Sequence, residues 1–272
     1  MATDSIFFKS DERRAPVPGH RFRWALLLPL GVAAGAVCLW ALLSSLNIFS
    51  QAAFPSPQAV AKGFIEDIRT GQIFNDIIAS LFRVGIGFCL AALFGVPIGL
   101  WLGLHPQVRQ TFLPSVNFFR SLSPLAWIPF AILWFGVGDM PAIFLIFTST
   151  FFPLVLGTVA AVASIPAVYF LVAGEYGYKG WKLLTHVTLP AIMPQVIISL
   201  RVAGGVAWLV VVAAEMIAGR DGLGFSIWDA RNGLRTDLLV CRMIVIGLIG
   251  VGLDFLLLRL TRMPRVRWGY EQ

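Results

Sequence analysis

Charged side chains stand inside long apolar runs of this sequence, among them Arg83, Arg120, Glu215 and Asp254. On insertion scales an ionised group at the centre of a membrane helix costs about 2.5–3.5 kcal/mol, so such groups pair with one another or face water. Glu215 follows Ala213-Ala214 deep in an apolar run. Two roles fit it: a gate or helix-pinning group beside a translocation pathway, or a salt link that only holds a bundle together. As a carboxylate it would repel an anion, so it is not expected to be a direct ligand of one. Arg83 is expected to snorkel toward an interface. Arg120 stands close to Ser121 and Ser123, just before Pro124. A guanidinium and two hydroxyls can solvate an oxyanion. A proline break frees a backbone carbonyl, which is tolerated where protein or water covers it. Arg120, Ser121, Ser123, Trp127 and Glu215 are therefore the candidate pathway residues, with Trp127 a hydrophobic gate or a packing group. Asp254 is expected to pair with an arginine near the inner surface. Asp229, Arg231, Arg235 and Asp237 could pair locally or meet a partner protein at the outer face, and local pairing is the expectation.

Other chemistry is missing from the sequence. There is no G-x-x-x-x-G-K-[ST] to cradle a nucleotide, no G-x-S-x-G and no H-E-x-x-H. His20, His105 and His186 occur singly in polar segments, and Cys38, Cys89 and Cys241 lie far apart in apolar runs. They read as solvated loop residues and small hydrophobes, so no catalytic residue and no metal site is expected. A net charge of +7 would suggest nucleic acid in a soluble protein. In a membrane protein it reflects Lys and Arg gathered in cytoplasmic segments, and no nucleic-acid partner is expected.

The elements that position these residues follow from composition. Of the 272 residues, 58% are hydrophobic and 13% charged, and the mean hydropathy is +0.81, too apolar for a soluble enzyme. A membrane helix needs roughly 20 apolar residues. Six runs qualify: 24–46, 79–104, 112–137 (interrupted by Pro124 and Pro129), 142–163, 195–218 and 238–260. The fold expected is an all-α polytopic membrane protein of about six transmembrane helices. A cytoplasmic segment (1–23) precedes a permease domain (24–262), and a basic tail (263–272) follows. Residues 24–46 exceed a signal peptide's apolar core of roughly 7–15 residues, and so read as a retained span. In the mixed segment 47–78, Ala59 to Arg69 carry apolar and charged residues at helical spacing, and Val60, Phe64, Ile65 and Ile68 share a face, as in a short amphipathic helix at the membrane surface or packed on the bundle. Gly85, Gly87, Gly95, Gly99 and Gly103 suit close helix packing in lipid. Six spans place both termini on one side. That side holds Lys9, Arg13, Arg14, Arg21, Arg23, Arg109, Lys179, Lys182, Arg259, Arg262, Arg265 and Arg267. The other holds only Lys62, Arg69, Arg220, Arg231 and Arg235. The asymmetry places both termini in the cytoplasm.

The polar segment 164–193 is the most informative. A helix from Pro166 to Tyr176 would be ended by Gly177 in a left-handed conformation. An amphipathic turn, Trp181 to Val187, then leads to Pro190. This segment resembles the EAA loop of type I ABC importer permeases: E-A-A, three residues, G, nine residues, I, one residue, L-P. Gly177 takes the glycine position, Val187 stands for Ile, and Leu189-Pro190 complete the pattern. Leu171-Val172-Ala173 occupy the E-A-A register, so the Glu and first Ala are replaced. Ser123 to Pro129, Leu133 to Asp139, Ala213 to Met216 and Gly222 to Phe225 resemble the nitrate/sulfonate/taurine/bicarbonate branch of that family, and the similarity runs from about 55 to 262. The resemblance implies a permease subunit of the bacterial inner membrane that forms the pathway for a small anionic solute. It implies a second, identical permease subunit, two cytoplasmic ATPase subunits holding ATP and Mg, and an extracytoplasmic substrate-binding protein. No cofactor is expected on this chain itself. Ala173, Glu175, Tyr176, Gly177, Tyr178, Leu189 and Pro190 would couple it to the ATPase. The rival reading is an ion-coupled secondary transporter using Glu215 or Asp254.

Overall fold

The computed structural model describes residues 21–46, 48, 50 and 53–261, except for the side chains of 21–27, 29, 30, 260 and 261. The basic N-terminal residues before Arg21, His20, the tail 263–272 and Arg262 lie outside them. Among the described residues there are helices and no strand. In chain order they are α1 (Arg21–Ser45), α2 (Pro57–Thr70), α3 (Gln72–Leu104), α4 (Pro106–Ser121), a 3₁₀ turn (Pro124–Trp127), α5 (Ile128–Phe135), α6 (Asp139–Ala163), α7 (Ala167–Glu175), α8 (Gly180–Leu183), a π turn (Leu184–Thr188), α9 (Leu189–Ala218), α10 (Leu223–Asn232) and α11 (Thr236–Thr261).

Among the described residues, four stretches are long and apolar enough to cross a membrane: α3, α6, the continuous run Gly180–Ala218 and Thr236–Arg259. The expected third span is not one helix. Leu122 and Ser123 are extended (ψ 132° and 126°), Ser123 because Pro124 disfavours the helical conformation in the residue before it. The chain there bends by 84° between Pro106–Ser121 and Pro124–Phe135, leaving one broken span. The expected first span falls in α1, whose apolar stretch among residues with described side chains is Gly31–Ser45. α1 meets α2, and Trp40 Nε1 donates to the Pro55 carbonyl (3.1 Å).

α3, α6 and α9 form the centre of the bundle. Small residues at intervals of four on α3 set the distance to α6. A Cβ at Gly87 would lie 2.8 Å from Ile146 Cβ, one at Gly99 2.6 Å from the Val155 carbonyl, and one at Gly103 2.7 Å from Val162 Cβ. Ala91, within the same stripe, is fully buried. Gly85 is not part of it, since nothing lies within 4 Å of its added Cβ. With no water to drive helices together in lipid, such close backbone approach is what holds them.

α2 begins with Ser56 accepting from the Ala59 N–H, and Gly71 (φ 74°) turns its end directly into α3. Its buried side, Val60, Gly63 and Asp67, lies against α11, where Asp67 receives both Nε and Nη2 of Arg242 at 3.0 Å. The exposed turn after α10 closes with Leu234 N–H to the Arg231 carbonyl (3.1 Å) and Arg235 N–H to the Ala230 carbonyl (2.9 Å). Leu234 takes φ 56°, a left-handed conformation that costs an L residue roughly 1–2 kcal/mol.

Candidate functional site

Three regions gather the candidate residues. The first is a buried joint where α3, α6 and α9 meet the start of α10. Arg83 does not snorkel. It is 1% exposed because carboxylates converge on it from three elements. Its Nη1 donates to Glu215 Oε1 (2.7 Å) and to the Asp221 carbonyl (2.9 Å), its Nε donates to Asp139 Oδ1 (2.7 Å), and its Nη2 pairs with Asp221 Oδ1. Glu215 has no exposed surface, and its other oxygen accepts from Ser80 Oγ and from the Gly224 N–H, both at 2.9 Å. It thus faces Arg83, Ser80 and the backbone of α10, with no open channel beside it.

The joint also caps a helix. The first N–H groups of a helix have no partner within it. Here Leu223 N–H donates to Ser80 Oγ (2.9 Å), Gly222 N–H to Asp76 Oδ1 (3.1 Å) and Gly224 N–H to Glu215. The glycines are required. Gly222 sits at φ 98°, and a Cβ there would meet Glu215 Oε1 at 2.5 Å. Sequence reasoning missed Asp76 and Ser80 as partners, and with them the buried Asp67–Arg242 pair. The available signal was the demand of each intramembrane charge for an opposite one. Asp254 has its expected kind of partner, accepting from Arg201 Nε and Nη2 at 2.7 Å each. Arg235 bonds Asp237 and Glu66. The Arg235 hydrogen bond, and after it the guanidinium charge, hold the Glu66 carboxyl below its usual value.

The second region is the elbow at the opposite ends of α6 and α9. α7 closes with Gly177 at φ 71°, Gly177 N–H bonding the Gly174 carbonyl and Tyr178 N–H the Ala173 carbonyl, both at 2.9 Å. These are the two bonds of a glycine-terminated helix end. The expected turn from Trp181 is α8, which runs through the π turn into α9 without a break. Ala173 is buried, and Leu189 packs with Ala161, Val162, Ile192 and Val196. Pro190 lies in the first turn of α9. Beyond this packed root, Glu175 is exposed, and Tyr176 and Trp181 are 78% and 75% exposed. Tyr178, Tyr176, Val172 and Pro190 line an open groove of about 830 Å³, with the Tyr178 and His186 rings 5.8 Å apart.

The third region is the bend after α4. Arg120, Ser121 and Ser123 are all exposed. Ser121 Oγ donates back to the Asn117 carbonyl (2.8 Å). Trp127 is half-buried, edge-on to Phe144 at 6.3 Å, and it walls a cavity of about 140 Å³ with Phe119, Thr148 and Phe152. It packs against the cluster that contains Ala214, the chain neighbour of Glu215. The structure thus brings Trp127 near the buried joint by packing, while the elbow residues form a separate group.

Comparison with known proteins fits this geometry. Residues 95–267 match the family described as binding-protein-dependent transport system inner membrane component. The chain is 32% identical over 251 residues to the taurine transport system permease protein TauC of Escherichia coli, covering 89% of this chain and 91% of that one. It is 34% identical over 242 residues to the bicarbonate transport system permease protein CmpB of Synechococcus elongatus, covering 84% and 86%. The fold resembles an inward-facing MetNI methionine ABC transporter (TM-score 0.58, 18% identity, 72% of this chain and 99% of that chain). It also resembles a bacterial alginate ABC transporter solved with its periplasmic protein (TM-score 0.59, 16% identity, 89% and 94%). At those identities the structures speak for the fold alone. The relatives displace the ion-coupled alternative, whose carboxylates Glu215 and Asp254 are each engaged by an arginine. The chain belongs to the binding-protein-dependent transport system inner membrane component family, as a permease subunit of an ABC importer.

Proposed function

We propose that this permease carries a small oxyanion of the nitrate, sulfonate, taurine or bicarbonate class across the bacterial inner membrane. A soluble binding protein delivers the solute. Two ATPase chains that hold ATP and Mg power the cycle, docking at the elbow formed by Ala173, Glu175, Tyr176, Gly177, Tyr178, Leu189 and Pro190. The observation that carries the reading is the elbow's construction, with its root packed against α6 and α9 and its aromatic tips exposed. A partner that moves those tips moves two central helices as rigid bodies, the kind of switch that ATP binding to the partner can bias. The pore is two copies of this chain, with both termini in the cytoplasm as the Lys/Arg asymmetry directs.

Arg120, Ser121 and Ser123 attract the solute at the bend and Trp127 closes beside them. Glu215 serves that pathway by pinning the helix ends around it. The test is uptake into proteoliposomes holding the permease, its ATPase and its binding protein. Uptake should require ATP, and uptake driven by a proton gradient without ATP would overturn the reading. Arg120→Ala should lower uptake about tenfold or more, the effect of losing a charged hydrogen bond, and Ser123→Val by only a few-fold. Parental uptake by Arg120→Ala would make that residue an interface anchor.

A further inference from the structure

The end of the bundle opposite the elbow carries a surface with no part in the joint around Arg83. Its floor is fixed twice: the buried Asp67–Arg242 pair ties α2 to α11, and Arg235 reaches from the α10–α11 turn to Glu66 on α2 at 2.7 Å. Arg235 also takes up Asp237, so both neighbouring carboxylates are engaged. Lys62 and Arg69, one turn either side of Glu66 on the same strip of α2, have no ion pair among the described residues. They line a shallow depression of about 410 Å³ with Ile65 and Glu66.

Beside this basic strip stands Leu234. It is 79% exposed and is the one non-glycine residue with positive φ among the described residues. The elbow uses the same helix-ending pair of bonds and places Gly177 at the corresponding position. A glycine would relieve the strain at 234 as well, so folding does not account for a leucine there. Left-handed non-glycine residues persist where the surroundings hold them and the strain serves a function.

We propose that this surface, Lys62 and Arg69 on α2 with Leu234 at the α10–α11 turn, docks the soluble solute-binding protein, which presents an acidic edge to the two cations and an apolar pocket to Leu234. The inference rests on the importer reading above and assigns the site of its extracytoplasmic partner. Charge complementarity selects the occupant: two unpaired cations on a rigid floor call for carboxylates. Anionic lipid headgroups share that charge, so the response to anionic lipid is read alongside. Phe64 and Ile68 are exposed on the neighbouring strip of α2, and Ile65 is exposed between them and the two cations.

The experiment uses the complete transporter in nanodiscs and reads ATPase stimulation against binding-protein concentration. Soluble solute-binding proteins of the same organism are first screened for the one that stimulates the parent complex, and that protein is the probe. Leu234→Gly removes the apolar tip while relieving the backbone. It should raise the melting temperature or leave it unchanged, and raise the half-stimulating concentration about tenfold. Lys62→Glu with Arg69→Glu should raise that concentration at least as much and flatten its dependence on salt, as expected of rim charges that steer association. Parental stimulation by both variants overturns the docking surface and leaves the importer reading standing. Parental stimulation combined with a lost response to anionic lipid gives the strip to the bilayer and overturns the proposal as well. A parent complex that no such protein stimulates overturns the importer reading and this surface with it.

Discussion

Arg83 shows how one side chain can hold several elements in an apolar medium. Its guanidinium meets Asp139 at the start of α6, Glu215 on α9 and Asp221 before α10, and only Glu215 among these carboxylates is fully buried. Removing the cation therefore falls hardest on Glu215. Breaking a buried pair from one side costs about 3–5 kcal/mol, because a charge is left without compensation. Arg83→Ala should destabilise the protein on that scale in a detergent unfolding assay. Glu215→Gln should do much less damage: the amide oxygen, placed where the carboxylate oxygen now stands, still accepts from Ser80 Oγ and the Gly224 N–H, and Arg83, which then faces the amide NH2, keeps Asp139 and Asp221. The double variant should be less destabilised than the sum of the two, and simple additivity would show that the two groups are not coupled. The sequence showed both charges inside spans but not that they pair, since 132 positions separate them. Arg83 read alone looks like a snorkelling arginine. Read with the requirement that Glu215 find a cation, it becomes that cation.

At the scale of elements, helix order was legible from apolar runs but helix length was not, since α3 begins at Gln72 and α9 at Leu189, ahead of the runs 79–104 and 195–218, and three further features were hidden. Pro124 announced a break in the third span, but the 84° turn depends on both Leu122 and Ser123 becoming extended. The run from α8 into α9 continues through a π turn because Leu184 to Thr188 keep helical backbone despite the following Pro190. The glycines of α3 looked equivalent in sequence, yet only those on the α6 side bear on packing, a matter of helix phase. A paired substitution tests this. At Gly99 even a methyl group would lie 2.6 Å from the Val155 carbonyl and 2.7 Å from Thr158 Cβ. Gly99→Ala should therefore force α3 and α6 apart and cost about 1–3 kcal/mol, as overpacking does. Gly85→Ala meets open space and should be neutral or stabilise by up to about 1 kcal/mol through helix propensity. Equal melting temperatures for the two variants would refute close α3–α6 packing as the basis of the bundle.

The whole molecule is polar along its length: charges are locked together at one end and aromatic side chains stand free at the other, joined by α6 and α9. α9 alone, at 30 residues, spans about 45 Å. A change at the elbow can therefore leave the far end intact, which makes coupling separable from folding. Gly177 is the position to use. Nothing lies within 4 Å of a Cβ added there, so a larger residue meets no clash, and the penalty is confined to φ 71°. Valine, β-branched, resists that angle most. To escape it, the chain must give up the bonds from Gly177 and Tyr178 to the end of α7, which redirects Tyr178 and α8. Gly177→Val should insert into the membrane and melt close to the parent. Its ATPase should fail to co-purify or should no longer respond to loaded binding protein. Gly177→Asn provides the control, because asparagine enters the left-handed region more readily than other non-glycine residues. It should recover much of the lost coupling. If valine and asparagine are equally impaired, loss of the small side chain and not the backbone angle is responsible. If Gly177→Val transports at the parental rate, the elbow does not transmit force and the ATPase must grip the permease elsewhere.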